Sequence, residues 1–323
     1  MRVFVAILTV TALVLFSHFT VSGQVVRVQV LEEVTGEPVG GAFVLLQDSA
    51  GNRAGAALAD EAGNFIIRAP EAGRYTLRME RIGFRSLVST ELDLDSERQT
   101  LIYDFHAPIQ PIELEGIRAS GTGRCRTPEA FGAATSILWE EARKALEVAE
   151  WANGDLGGPF QTQLQESGRD LLSLEIEDQQ TRMRSGLGRT PFYGESAEDL
   201  GNNGFVRAMP DGFVQYFGLD AATLLSEEFL DTHCFRIRDP GEEEEGLIGL
   251  GFEPVPGHHQ PDVTGVLWLD RKSSELRYLE FQFTEHLHPV PVPPLPFGGR
   301  VEFRRLANGA WAVDRWWLRL PQW

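Results

Sequence analysis

The residues best suited to acid–base or metal chemistry here are seven histidines: His18, His106, His233, His258, His259, His286 and His288. A catalytic zinc needs about three protein ligands on a rigid support. A centre built on a His-x-x-Glu pair and a distant histidine needs Glu three residues after a His, and none of the seven has it. The nearest arrangement, His259-Gln260-Pro261-Asp262, has a proline between the ligands, which prevents regular helical presentation. His286 and His288 would share one strand face, but Pro289, Pro291, Pro293, Pro294 and Pro296 make this an extended proline-rich loop. Together with His258 and His259 they offer a surface transition-metal site; exposed loop histidines are the simpler reading. No metal ligand and no cofactor is assigned.

Nucleophiles are equally poorly supported. His233 and Cys234 are neighbours, and neighbours on a strand point to opposite faces, so they cannot pair there. Glu227, Glu228 and Asp231 supply negative charge where a reactive thiolate needs positive. Gly194-Glu195-Ser196-Ala197-Glu198 lacks the second glycine of a nucleophile elbow. Gly186-Leu187-Gly188 is too short for a phosphate loop. The Glu242–Glu245 run lacks the alternating ligands of a calcium loop and reads as a solvated turn. No catalytic residue is assigned, and the chain is read as a non-enzyme. Two residue sets remain. Cys125 and Cys234 are the only cysteines, and an even count in an exported chain favours a disulfide closing a loop of about 110 residues. Trp311, Trp316 and Trp317 crowd one probable strand near Trp323; an exposed member of this set would stack on a sugar or line an acyl groove.

The compartment follows from Met1–Gly23. Arg2 precedes an uncharged, mostly apolar run from Val3 to Phe16, and Val21-Ser22-Gly23 precede a cut before Gln24. This is the pattern of a signal peptide over residues 1–23, too short to span a bilayer comfortably. No cysteine lies near the cut, so a lipoprotein anchor is unsupported, and no later run is apolar enough for a transmembrane helix. The expectation is an exported bacterial protein, periplasmic, associated with the outer membrane or secreted. With 47 acidic and 29 basic residues the net charge is −18, which repels nucleic acid and anionic lipid surfaces.

From Val25 to Phe105 short alternating runs come at turn-sized intervals. Val26, Val28 and Val30 alternate with Arg27 and Gln29; Ala42–Gln47, Phe65 with Ile67, Tyr75–Met79, Leu87–Leu94 and Leu101–Phe105 follow, separated by Gly/Pro/Asn/Asp clusters. The pattern predicts a seven-stranded β-sandwich over residues 24–106. Pro38, Gly41-Ala42, Asp60, Gly63, Phe65, Gly73, Tyr75 and Gly83-Phe84, at these spacings, resemble the carboxypeptidase regulatory-like domain. That resemblance implies a transthyretin-like fold, grouped with carbohydrate-binding-like sandwiches. These positions are structural: glycines for tight turns, Phe65, Tyr75 and Phe84 for the core between sheets. The zinc carboxypeptidase pattern itself is absent. The same family stands at the front of TonB-dependent receptors, but the residues after it are too few for a plug and a 22-stranded barrel.

Residues 107–126 read as a linker, with Ile112–Gly121 similar to the segment before a receptor plug. Residues 127–323 read as an α+β domain. Thr127-Pro128-Glu129 signal a helix start, and Leu138, Ala142, Ala145, Leu146 and Ala149 share one helical face. Ala152–Gly168 reads as turns, Leu171–Ile176 as a strand, Gln179–Gly204 as a surface loop. Phe213–Phe217 reads as a strand, and Asp220 caps a helix through Leu230. Cys234–Ile237, Leu247–Val255, Val263–Asp270, Leu276–Thr284, Val301–Leu306 and Trp311–Leu320 predict an antiparallel meander, with Asn308-Gly309 as its clearest hairpin turn. The unit Gly265–Asp270 followed by Leu276–Phe281 is loosely similar to periplasmic lipoprotein-carrier half-barrels, which implies a curved sheet holding acyl chains. The expected function is binding or assembly in the cell envelope, with an envelope protein, a glycan or a lipid as partner. A carbohydrate-binding module, a lipid-binding half-barrel and a truncated receptor relative are the alternatives.

Overall fold

A computed structural model describes residues 24–94, 100–110, 133–154, 159–169, 175–187, 194–210, 212–242, 244–285, 297–307 and 309–321. The expected signal segment, Ile112–Gly121, Cys125, the helix start at Thr127, Leu171–Leu174, His286, His288, Asn308 and Trp323 lie outside these residues.

The chain is mainly β. In its first part β1 (Gln24–Glu32) pairs antiparallel with β4 (Asn64–Ala69) and parallel with β8 (Thr100–Ala107). Facing this sheet, β2 (Phe43–Asp48) lies between β3 (Arg53–Leu58) and β5 (Gly73–Glu80), and β5 also pairs with β6 (Leu87–Val88) and β7 (Leu92–Leu94). Val26, Val28, Val30, Val44, Leu46, Phe65, Ile67, Leu77 and Met79 fill the space between the sheets. Every second residue of β1 and β4 is buried, which is the alternation a sheet with one wet face requires.

The expected run Leu87–Leu94 is two strands because Ser89 interrupts it. Its hydroxyl accepts from the Leu77 amide at 2.9 Å and donates to the Thr90 carbonyl at 2.7 Å, taking a place in the ladder. Strand β3, Arg-Ala-Gly-Ala-Ala-Leu, carries no β-branched or aromatic residue and gave no sequence signal.

The glycines of the sandwich act as turn residues. Gly63 has φ of +75°, and a Cβ there would overlap the Val30 carbonyl oxygen. Its own carbonyl accepts from the Val30 amide at 2.9 Å, while the Asp60 carboxylate receives the Ala62 and Asn64 amides. Gly63→Ala adds a left-handed backbone cost of about 1–2 kcal/mol to an overpacking cost of about 1–3 kcal/mol. The expected loss, about 2–5 kcal/mol in urea unfolding, contrasts with a loss below about 0.5 kcal/mol for the exposed Asn64→Ala; equal values would refute this reading.

The second part begins with α1 (Ala133–Gly154), followed by a ribbon of β9 (Pro159–Arg169) and β10 (Ile176–Leu187). The turn-rich reading of 152–168 and the loop reading of 179–204 are corrected here. Most described side chains of the ribbon are exposed, so neither strand carries a buried alternation to read. Next come α2 (Ala197–Asn203), β11 (Val206–Ala208), β12 (Val214–Tyr216), α3 (Ala221–Leu225) and α4 (Glu227–Thr232). Asp220 caps α3 as expected, but Ser226 ends it in extended backbone and caps α4 through the Phe229 amide, so one expected helix is two.

Finally β13 (His233–Arg238), β14 (Leu247–Pro254), β15 (Val263–Asp270), β16 (Leu276–Phe283), β17 (Gly298–Arg305) and β18 (Trp311–Arg319) form a six-stranded sheet in sequence order. Leu138, Ala142, Leu146 and Ala149 of α1 pack in one core with Leu250, Leu267, Phe281, Val301 and Trp311 of this sheet. The same core takes in Phe43, Leu45 and Ile82 of the sandwich. The helix therefore occupies the apolar sheet face on which an acyl groove was expected, and it packs on the sandwich as well.

Candidate functional site

Two regions concentrate chemistry: the seam where α1 meets the sandwich, and the outward face of the six-stranded sheet. The seam is built from the corner Gly83-Phe84. Gly83, with φ of +79°, turns the chain so that its amide donates to Glu141 Oε2 at 2.9 Å, while the Phe84 carbonyl accepts from Lys144 Nζ at 2.8 Å. Lys144 and Glu141 pair at 2.6 Å with both side chains 4% exposed. In the same turn of α1, Arg143 reaches Glu80 of β5 at 2.7 Å and Glu140 at 2.9 Å, and also contacts Glu147. Arg78 meets the same Glu80 oxygen, Oε1, at 2.5 Å. Trp151 and Phe43 pack across the seam with ring centroids 5.2 Å apart and their planes tilted by 50°, and Arg53 pairs with Glu150 at 3.2 Å. Arg81 donates to the Gly40 carbonyl at 3.2 Å, and burial, reinforced by the Arg305 charge, pulls its guanidinium down to about 10.

A second join lies nearby. Gly41 of the sandwich and Gly309 of the β17–β18 turn both have positive φ, and a Cβ on Gly309 would stand 2.5 Å from the Gly41 Cα. Two backbones can approach this closely only where neither residue has a side chain.

The outward sheet face follows from strand alternation. Trp316 packs toward the core, so Trp317 points away from it. Across the strands Glu280, Arg300 and Trp317 lie in one row, and Tyr278, Glu302 and Arg315 in the next. The Arg300 guanidinium lies 3.6 Å over the Tyr278 ring, 3.0 Å from Glu280 and 3.3 Å from Glu302. Arg319 sits 5.7 Å from the Trp317 ring centroid, and Trp317 is 43% exposed. Chemically this is an open aromatic face flanked by guanidinium donors and carboxylate acceptors, a combination that suits a polyhydroxylated ring.

The three tryptophans are therefore not one platform. Trp311 is 3% exposed in the core, where no ligand reaches it, and Trp316 is half-buried against the same core. Only Trp317 of the three keeps the expected stacking geometry. Trp268 and Tyr278, also on the outward face, were not singled out by sequence. Their rings lie 6.3 Å apart, and Gly249 makes room for Trp268, whose Cζ3 would be 3.0 Å from a Cβ there.

The sandwich signature residues fall where packing requires them. Phe65 and Tyr75 are buried between the sheets, Ala42 is fully buried, and Phe84 packs half-buried at their margin. The Tyr75 hydroxyl donates to the Glu71 carbonyl at 3.0 Å. Pro38 bridges to Leu31, and Gly73 opens β5.

His233 and Cys234 point to opposite faces, as adjacent strand residues must. The His233 ring stacks on Phe229 at 3.7 Å, with Nδ1 3.0 Å from the Phe229 carbonyl and Nε2 3.2 Å from Asp262. Asp262 also receives His258 at 2.9 Å, and its Oδ1 accepts from the Val263 amide at 2.7 Å. Both imidazole nitrogens of His233 are thus spent on fixing α4 and the segment before β15 to β13. Among the described residues no group of three or more His, Cys, Asp or Glu side chains is arranged to hold a metal ion. Cys234 is bonded in a disulfide.

Comparison with known proteins adds the following. No curated protein matches the chain. Among solved structures, the Bacillus anthracis TIE protein is similar at 12% identity, over 27% of this chain and 17% of that one, with a TM-score of 0.25. The group B streptococcus pilus 2b backbone protein is similar at 13% identity, over 27% of this chain and 41% of that one, with a TM-score of 0.23. A putative carbohydrate binding protein from Bacteroides uniformis is 12% identical over 76% of this chain and 98% of that one, with a TM-score of 0.23. Likenesses this distant carry no functional argument. The family comparison is sharper: residues 25–107 match the carboxypeptidase regulatory-like domain, and that part of the chain is such a domain.

Proposed function

We propose that this is an exported, non-enzymatic protein of the bacterial cell envelope that works by binding, and that it holds a glycan on the outward face of its C-terminal sheet around Trp317. The observation that carries the reading is the exposed Trp317 ring with Arg319 beside it, Arg300 and Glu280 in its own cross-strand row and Glu302 in the next. The regulatory-like domain supports a non-catalytic role, since its signature residues serve turns and core. Among the described residues no helix is long and apolar enough to cross a membrane. In this reading residues 1–23 are a secretory signal, and the mature chain starts at Gln24, where β1 begins. Intact mass of the protein recovered from the envelope tests that cut.

The binding test is titration calorimetry against a panel of envelope polysaccharides and their oligosaccharides. Trp317→Ala is expected to weaken binding about 30-fold, the effect of truncating a central aromatic contact, with the unfolding midpoint unchanged. A wild-type protein that binds none of them, or a variant that binds equally well, sinks the proposal.

A further inference from the structure

We propose that Glu80 and Glu147 hold one proton between them across the seam between the regulatory-like domain and α1, and that losing this proton loosens the domain from the helix. The geometry brings the two carboxyl groups to a single nitrogen: Arg143 Nη1 lies 3.3 Å from Glu80 Oε2 and also contacts Glu147 Oε1. The charged groups facing them are Arg78 on β5 and Glu140 and Arg143 on α1. Lys144 and Glu141 neutralise each other on the next face of the helix, and Arg53 and Glu150 pair at its far end. Three carboxylates thus surround two guanidinium groups, and one proton makes the cluster neutral. Glu140 is half exposed and screened by water, so the proton is needed at the other two carboxyl groups, where Glu80 is 1% and Glu147 24% exposed.

Burial, and then the Glu80 charge, push the Glu147 carboxyl up to about 7 from its ordinary 4.5. Burial also pushes on Glu80, but the hydrogen bond and charge of Arg143 outweigh it and hold that carboxyl below its ordinary value. Glu147 is thus the proton's seat and Glu80 its acceptor. Because Glu147 binds its proton more tightly when docked, its contribution is complete below pH 4.5 and is lost as pH rises through about 7. Glu80 works in the opposite sense: its contribution is present above its ordinary range and lost as pH falls through its lowered value.

The experiment is hydrogen–deuterium exchange of the full chain at pH 6 and pH 8, reading β5 and α1 amides relative to β14 amides in the same sample. The relative exchange is expected to rise about tenfold from pH 6 to pH 8, the change in docking constant that such a shift implies. Glu147→Gln, permanently neutral, is expected to keep the pH 6 protection at both values, and Glu80→Gln to give the same flat profile. A wild-type ratio that does not change with pH, or a tenfold change that persists in both variants, overturns the proposal.

Discussion

Lys144→Met is expected to destabilise the folded chain by about 3–5 kcal/mol, the cost of removing one partner of a buried ion pair. Methionine matches the lysine stem in length, so packing changes little. What changes is Glu141, left as an uncompensated carboxylate at 4% exposure, still accepting the Gly83 amide. The Phe84 carbonyl loses its donor at the same time. Lys144→Met combined with Glu141→Gln is expected to recover more than half of the loss, because the stranded charge is gone while the amide oxygen still accepts from Gly83. Urea unfolding of the three proteins measures this. A single variant within about 1 kcal/mol of the parent would mean that the ammonium is hydrated and that the seam does not depend on it.

Replacing Cys125 and Cys234 together by serine is expected to cost about 4–5 kcal/mol, from the entropy of a loop of about 110 residues. Cys234 is disulfide-bonded, and Cys125 is the other cysteine of the sequence, so we propose that the two are partners. The loop so closed contains α1 and the β9–β10 ribbon, and the bond limits how far the chain strays when α1 leaves the sheet. Non-reducing peptide mapping must find the 125 and 234 peptides linked within one chain. Unfolding with and without reductant should reproduce the loss seen in the double variant. Free thiols on the native protein, or a link between copies, would refute the pairing.

Much of the fold was legible because alternation is a local signal. Val26, Val28 and Val30 announce β1, and Leu276–Thr284 announces β16, because each strand has one wet and one dry face. The helical stripe Leu138, Ala142, Ala145, Leu146 and Ala149 was readable for the same reason, and all five residues are buried. Strands without a dry face were not readable. The β9–β10 ribbon is exposed along most of its length, and β3 is built from alanine and glycine, so neither differs in pattern from a loop. The site was less legible than the fold. Three neighbouring tryptophans suggested one platform, but alternation sends Trp316 inward and Trp317 outward, and Trp311 into the core.

By itself the sequence determined the sandwich, its turns and its family likeness, since Gly63 and Asp60 act within one corner and Phe65 and Tyr75 face their own two sheets. It also determined the strands of the C-terminal meander, which pair in sequence order. Tertiary structure alone decided that the two parts share a core through α1, that Gly41 meets Gly309, and that Lys144, Glu141, Arg143 and Glu147 face Gly83-Phe84 and Glu80. The physical reason is separation along the chain. Glu80 and Arg143 are 63 residues apart, and no local period records which charged residue of a helix will meet a distant strand. A surface glutamate and a proton-sharing one have the same letter in the sequence; burial against a second carboxylate makes the difference.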